Sequence, residues 1–206
     1  MKRYYQQNYH TYFKKTVSID PAPFLEPFVR CMKKNRDITD VNCKINRSVW
    51  DIGCGSGRDL LWLKQRGFHC TGLEYSFDLA LMARKISGCD VVVGDFENFD
   101  FSRLSADGIL LIAALVHLAP DKVCNVLRNV AQGIKKNGIV YISMKKGTGM
   151  FSDDTGRNFY LWQPEELDIL FQKAGFKICS FSVSSSALGT DERWLGFLLH
   201  QHHENP

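Results

Sequence analysis

The 206-residue chain contains no apolar run near the roughly 18 residues that span a bilayer. Its opening, MKRYYQQNYH, lacks the apolar stretch of a secretory leader. Both absences predict a cytoplasmic protein with no membrane partner. Paired cysteines are also missing: Cys31, Cys43, Cys54, Cys70, Cys89, Cys124 and Cys179 are odd in number and never form a C-x-x-C. That pattern argues against a disulfide framework and a zinc site, and predicts reduced thiols and no bound metal. His200, His202 and His203 in the tail read as a frayed polar end rather than a ligand set. There is no internal repeat, no low-complexity tract and no strong excess of one charge, the net being +4. What excess exists is local, with ten Lys/Arg against four Asp/Glu in residues 1–49 and sixteen against eighteen beyond. No heptad or separate apolar face indicates an oligomeric state.

With 45% hydrophobic and 23% charged residues, the chain has the composition of an ordinary globular protein. Its length suits one domain, residues 1–206, burying about 70% of the unfolded surface. RYYQQNYHTYFKK spaces Tyr5, Tyr9, Tyr12 and Phe13 as one helix face, and Asp20 with Pro21 opens a second helix carrying Phe24, Leu25 and Phe28. NRDITDVNCKINR has no period and predicts a connecting loop. From Val49, apolar runs alternate with helical patterns, with Gly67, Gly133, Gly138 and Gly175 read as helix ends. This is the signature of a doubly wound α/β sheet, mostly parallel. FKICSFSVS and RWLGFLLH follow one another without a helix and predict an antiparallel pair at one edge.

The strongest local signal is VWDIGCGSGRD, residues 49–59. Val49, Trp50 and Ile52 end a buried strand, and Leu60, Leu61 and Leu63 start a helix, so the glycines make a strand-to-helix turn. Such a turn admits a ligand close to the backbone and aims free N–H groups at it. A dinucleotide dehydrogenase would place a third glycine where Arg58 stands. Asp51, two residues before Gly53, suits the amino group of a methionine-like ligand and would repel a pyrophosphate. Glu74 stands 21 residues after Gly53, where ribose hydroxyls of either cofactor would lie.

VWDIGCGSGRD, GLEYS, VVGDFENFDF, DGILLIAALVHL and IKKNGIVYISMKKG, in this order and spacing, resemble the successive motifs of class I S-adenosylmethionine-dependent methyltransferases. The resemblance spans residues 46–200. More narrowly, GSGRD, ALVHLAP, GRNF and DERWL are similar to small bacterial methyltransferases related to the tellurite-resistance methyltransferases. The resemblance implies a Rossmann-like sheet of strand order 3-2-1-4-5-7-6 with one antiparallel edge strand. It implies S-adenosylmethionine as cofactor and S-adenosylhomocysteine as product. Asp51, Gly53, Cys54 and Gly55 would line the methionine end, Glu74 the ribose and Tyr75 the adenine. Asp95 would accept from the adenine amino group with Phe96 beside it, and Ala113 and Leu115 would pass under the sulfonium. Arg58 reads equally as a cofactor contact or, with Asp59, as a helix-start residue.

Methyl transfer needs a base only when the acceptor carries a proton at neutral pH, and His117, just past the fourth strand, is the candidate. The alternatives for His117 are a helix cap or a packed core residue. Lys145, Lys146 and Arg157 offer a positive mouth for an anionic small molecule, or a solvated loop. Trp194 reads as packing on the edge. Residues 1–45 would form a lid of N-terminal helices over the core of residues 46–206, its tyrosines shedding water from the pocket. The rival is a nucleic-acid face of stacking aromatics and phosphate-binding lysines, as in a tRNA methyltransferase. A pocket that binds cofactor without catalysis is the third reading.

Overall fold

The computed structural model describes residues 2–34 and 47–201. Three N-terminal helices, α1 (Lys2–Gln7), α2 (Tyr9–Thr16) and α3 (Ala22–Lys34), precede the sheet. The core then runs β1 (Ser48–Ile52), α4 (Arg58–Lys64), β2 (His69–Glu74), α5 (Phe77–Ser87), β3 (Asp90–Val93), β4 (Ala106–Ile112) and α6 (Pro120–Gly133). It continues as β5 (Ile134–Lys145), β6 (Met150–Ser152), β7 (Asn158–Tyr160), α7 (Pro164–Lys173), β8 (Phe176–Ser185) and β9 (Arg193–Gln201). Residues 35–46 of the predicted loop 35–47, Cys43 among them, and the tail histidines His202 and His203 lie outside the described residues.

The main sheet has the order β3-β2-β1-β4-β5-β9-β8. Setting aside the separate ribbon β6–β7, which the sequence did not announce, this is the expected arrangement of a doubly wound methyltransferase-type fold. One detail differs. β9 pairs antiparallel with both β5 and β8, so the antiparallel strand stands one place in from the edge and β8 forms the edge itself. Gly138 also departs from expectation: it lies inside β5, because α6 already stops at Gly133.

Helices cover both faces because the apolar residues fall at their expected periods. On one side α6 buries Val123, Val126, Leu127 and Val130, positions that share a helix face, together with Leu167 and Phe171 of α7. On the other, α3 lays Leu25, Phe28, Val29 and Met32 on Val49, Leu110 and Tyr141. The Phe28 ring fills the space of the side chain that Gly108 lacks. Thus α3 is part of the packed core, and only α1 and α2 are placed to cover the carboxyl ends of the strands, where both lie against α5. Asp20 Oδ1 accepts from the Ala22 N–H at 3.0 Å and starts α3 as its sequence suggests. Among the described residues, no helix is long and apolar enough to cross a membrane.

Candidate active site

The parallel strands deliver their carboxyl ends to one edge, where open α/β sheets receive ligands. At β1 the chain turns through Gly53, Gly55 and Gly57, all with φ between 54° and 77°, a region that side chains with a Cβ rarely enter. The loop is tied down from β2: Gly53 and Cys54 donate their N–H groups to Leu73 O at 2.7 and 3.2 Å. Glu74, 6% exposed, accepts from Gly55 N through Oε2 and from Ser76 N through Oε1, both at 2.9 Å. Burial raises the Glu74 carboxyl above its ordinary pKa, against the lowering effect of these backbone donors.

Asp51 sits behind the loop, 1% exposed, and its Oδ2 has no hydrogen-bond partner among the described residues. Burial, then the nearby Asp59 charge, pushes its carboxyl well above the usual range, while Arg58 opposes them. Arg58 grips Asp59 with both arms, Nε to Oδ1 and Nη2 to Oδ2 at 2.8 Å. Its Nη1 reaches Thr16 O at 3.4 Å and its guanidinium lies 5.2 Å from the Phe24 ring centroid, so one side chain links the glycine loop to α2 and α3. Cys54, also buried, has its thiol pushed up by burial first and by Asp51 next.

The tip of β4 faces this loop. Ala113 holds φ at 52°, the one non-glycine positive φ among the described residues, and its N–H donates to Ser143 Oγ at 2.9 Å. Strain of this kind persists only where surroundings enforce it. A cavity of about 330 Å³ opens between Gly53 and Cys54 on one side, Ala113 and Val116 below, and Tyr4, Tyr5 and Tyr12 of α1 and α2 above. This lies at the small end of the usual range for ligand pockets. Tyr12 packs directly on the loop, its Cε1 3.1 Å from where a Cβ on Gly55 would stand.

His117 closes the far wall. Its Nδ1 lies 2.7 Å from the Asn158 carbonyl, which can only accept, so Nδ1 carries the proton and Nε2 accepts from the Tyr5 hydroxyl at 2.9 Å. The ring stands 4.4 Å from Phe159. Burial, aided by Arg157 and Lys145 and resisted by the Asn158 carbonyl, lowers its pKa to about 4. The side chain therefore binds β7, and no side chain caps α6 at Ala119. Lys145, on β5, is buried and paired with Glu192, and Arg157 is paired with Asp153, whose carboxyl is held below its usual range. Lys146 is exposed and does not line the cavity.

Of the sequence-predicted residues, Gly53, Cys54, Arg58, Ala113 and His117 line this cavity. Asp51, Gly55 and Glu74 stand immediately behind or under it. Tyr75 and Phe96 are half-buried, Phe96 against the main core, outside the cavity wall. The Asp95 carboxylate accepts from Glu97 N at 3.1 Å and Asn98 Nδ2 at 3.2 Å in the turn after β3. Leu115 is fully buried in the core, whereas Val116 and His117, the next two residues of the short turn after β4, line the cavity. Trp194 lies on β9 rather than the edge, its ring 5.5 Å from the Lys145 ammonium. Sequence reasoning missed Asn158, Phe159, Ser143 and Glu192. The GRNF segment was the available signal for the first two, but nothing local indicates that β7 folds over His117. Among the described residues, no group of three His, Cys, Asp or Glu side chains is arranged to hold a metal.

Residues 49–138 match a family described as a methyltransferase domain. An uncharacterised protein of Methanocaldococcus jannaschii is 30% identical over 132 residues, 62% of this chain, and the chain spans only about half of that relative, 48%. A SAM-dependent methyltransferase of Methanosarcina mazei superposes with a TM-score of 0.69 at 17% identity, covering 82% of this chain and 99% of its own. The 1,6-didemethyltoxoflavin N1-methyltransferase of Burkholderia thailandensis, solved with bound 1,6-didemethyltoxoflavin and S-adenosylhomocysteine, gives 0.66 at 20% identity, covering 86% of this chain and 87% of its own. The glycine turn, the buried acids behind it and the strand order thus belong to a chain that matches the methyltransferase-domain family over residues 49–138 and has the Rossmann-like methyltransferase fold.

Proposed function

We propose that the protein is an S-adenosylmethionine-dependent methyltransferase that methylates a small molecule held in the cavity under α1 and α2. The observation that carries this reading is Asp51: a buried carboxylate oxygen without a partner among the described residues, two positions from a glycine that lines the cavity. An unpaired acceptor there is costly, and an ammonium donor satisfies it. The residues present fit the cofactor in this sense. Asp51, Gly53, Cys54 and Gly55 would hold its methionine end, and Arg58 braces the loop. Glu74 would hold the ribose, and Tyr75, Asp95 and Phe96 would hold the adenine. The bound cofactor supplies a methyl group made electrophilic by a sulfonium.

The chain's own residues do the rest. Ala113, held in its strained conformation by Ser143, fixes the floor at the tip of β4, with Leu115 anchored in the core two residues on. Tyr4, Tyr5 and Tyr12 exclude water, and correct placement alone is worth about 7 to 11 kcal/mol in such a displacement. His117 Nε2 is the proton acceptor. Lys145 and Arg157 each have an acidic partner, so the cavity's charge is nearly balanced and suits a neutral acceptor better than an anionic one.

Thermal unfolding with S-adenosylmethionine, S-adenosylhomocysteine and NAD in parallel tests the reading. A ligand at a hundred times its Kd stabilises the folded state by about 2.7 kcal/mol, an upward shift of roughly 5 to 11 °C for a chain this size. Shifts with the first two and none with NAD are expected, and a shift with NAD alone overturns it.

A further inference from the structure

Tyr5 comes from the N-terminal helix pair, yet its hydroxyl is the direct partner of His117 Nε2, 112 residues away in sequence. Nδ1 is already committed to the Asn158 carbonyl, so Nε2 is the only lone pair the imidazole offers, and Tyr5 stands on it. A phenol oxygen that donates to His117 keeps two lone pairs; the Arg157 guanidinium donates to one of them, which leaves one open to accept. Both residues line the cavity that also contains Gly53 and Ala113. Around them the walls are aromatic: Phe159 stacks on Phe151 at 5.2 Å and 17°, and Tyr4 meets Tyr5 edge-on at 5.3 Å. Phe151 keeps 37% exposure on the short ribbon at the mouth.

We propose that Tyr5 is a proton relay between the methyl acceptor and His117, and that the acceptor is a flat aromatic molecule carrying a weakly acidic O–H or N–H. The inference rests on the methyltransferase reading and deepens it. The acceptor's lone pair forms the bond to the methyl carbon as the carbon–sulfur bond breaks, its electron pair staying on sulfur. The acceptor proton passes to Tyr5 Oη while the Tyr5 proton moves to His117 Nε2, and the imidazolium later loses it to solvent. The balance of charge favours this course: one positive charge leaves the sulfur and one appears on the imidazole, so the cavity carries the same total before and after. The groups that face the pair are Tyr4 on α1, Arg157 and Asp153 beside β7, and Lys145 with Glu192 beyond Phe159. A metalloid oxyanion or a thiolate would need no relay, and this site is built for an acceptor that does.

The test uses S-adenosylhomocysteine binding by calorimetry, transfer of labelled methyl from S-adenosylmethionine to 4-cresol and to ionised thiophenol, and nitrogen NMR of His117 in the ligand-free protein. In Tyr5→Phe the aromatic packing stays and only the hydroxyl is lost. Product-complex affinity is expected to change less than twofold, and 4-cresol methylation to fall at least tenfold. His117→Gln should lose as much, and the double variant no more than the worse single, as for two members of one unit. Thiophenol methylation should change less than threefold, and the His117 Nε2 resonance should move in Tyr5→Phe. An Nε2-protonated His117 in the wild type, 4-cresol methylation unaffected by Tyr5→Phe, or no transfer to 4-cresol by a protein that binds S-adenosylhomocysteine, overturns the relay. Failure to bind S-adenosylhomocysteine removes the methyltransferase reading instead, and the relay with it.

Discussion

The Glu74 carboxylate and the Gly55 backbone are joined by a buried hydrogen bond of 2.9 Å, and a second arm of the same carboxylate holds Ser76. Glu74 therefore shapes the glycine loop as well as offering a ribose contact. Removing the side chain strands two buried N–H groups, each costing about 1 to 3 kcal/mol. Glu74→Ala is expected to lower the melting temperature by about 4 °C or more and to weaken S-adenosylhomocysteine by at least tenfold. Glu74→Gln keeps both acceptor positions in part and should lose more affinity than stability. Calorimetry and thermal melts on the two variants separate these roles, and an Ala variant that melts like the wild type would contradict the loop-anchoring role.

His117 makes stability depend on pH. Its folded-state pKa of about 4 lies below the ordinary 6.5, so in between the unfolded chain binds the proton more readily. Stability contributed by the neutral imidazole is full above about pH 6.5 and is lost as the pH falls toward 4, by at most roughly 3 kcal/mol. Asp51 and Glu74, with raised carboxyls, act with the opposite sign. The difference between wild type and His117→Gln isolates the imidazole: melts from pH 7.5 to 4.5 should fall more steeply for the wild type, and parallel curves would refute the assignment.

Legibility in the sequence followed the range of the interactions. The alternation of strands and helices in a doubly wound sheet was readable because it rests on local periods and on a right-handed crossover rule, whereas the strand order came from the resemblance of the motif series. The glycine turn was readable because positive φ is written into residue type. The positions of Asp51 and Glu74 near the ends of β1 and β2 were readable because the apolar runs that precede the turns mark those ends. The position of β9 inside the edge, the β6–β7 ribbon and the Tyr5–His117–Asn158 chain were not readable. Each depends on pairing between segments dozens of residues apart, and a three-residue strand such as NFY carries no period of its own. The seating of α3 was half visible: its apolar face was legible, but only Gly108 and Phe28 together show that the face belongs to the core.

Gly57 is confined by a neighbour as well as by its φ of 77°. A Cβ there would lie 2.7 Å from Ala83 Cα, in the backbone of α5. Gly156 has the same φ and nothing within 4 Å. Left-handed strain alone costs about 1 to 2 kcal/mol, and overpacking adds about 1 to 3. Gly57→Ala should therefore lower the melting temperature by about 2 to 12 °C more than Gly156→Ala. Equal losses in differential scanning calorimetry would mean that α4 and α5 are not in this close contact.

Arg58 opposes a cluster of buried acids, since Asp51 feels Asp59 and Glu74 as repelling charges and Arg58 as an attracting one. Its pairing with Asp59 is largely buried, with side-chain exposures of 15% and 8%. Breaking such a pair leaves an uncompensated charge and costs about 3 to 5 kcal/mol, whereas removing both partners is far milder. Arg58→Met should thus destabilise strongly at pH 8, and Arg58→Met with Asp59→Asn should recover most of the loss. Without the guanidinium the folded-state Asp51 carboxyl rises further, so the variant gains stability relative to the wild type as the pH falls and Asp51 takes up a proton. Hydrogen exchange should also quicken in α2, whose last turn loses the bond from Arg58 Nη1 to Thr16 O. Urea titrations at pH 8 and pH 5.5 decide the matter: a penalty that shrinks at the lower pH supports the acid cluster, and one equal at both values would show that Arg58 acts only by packing on Phe24.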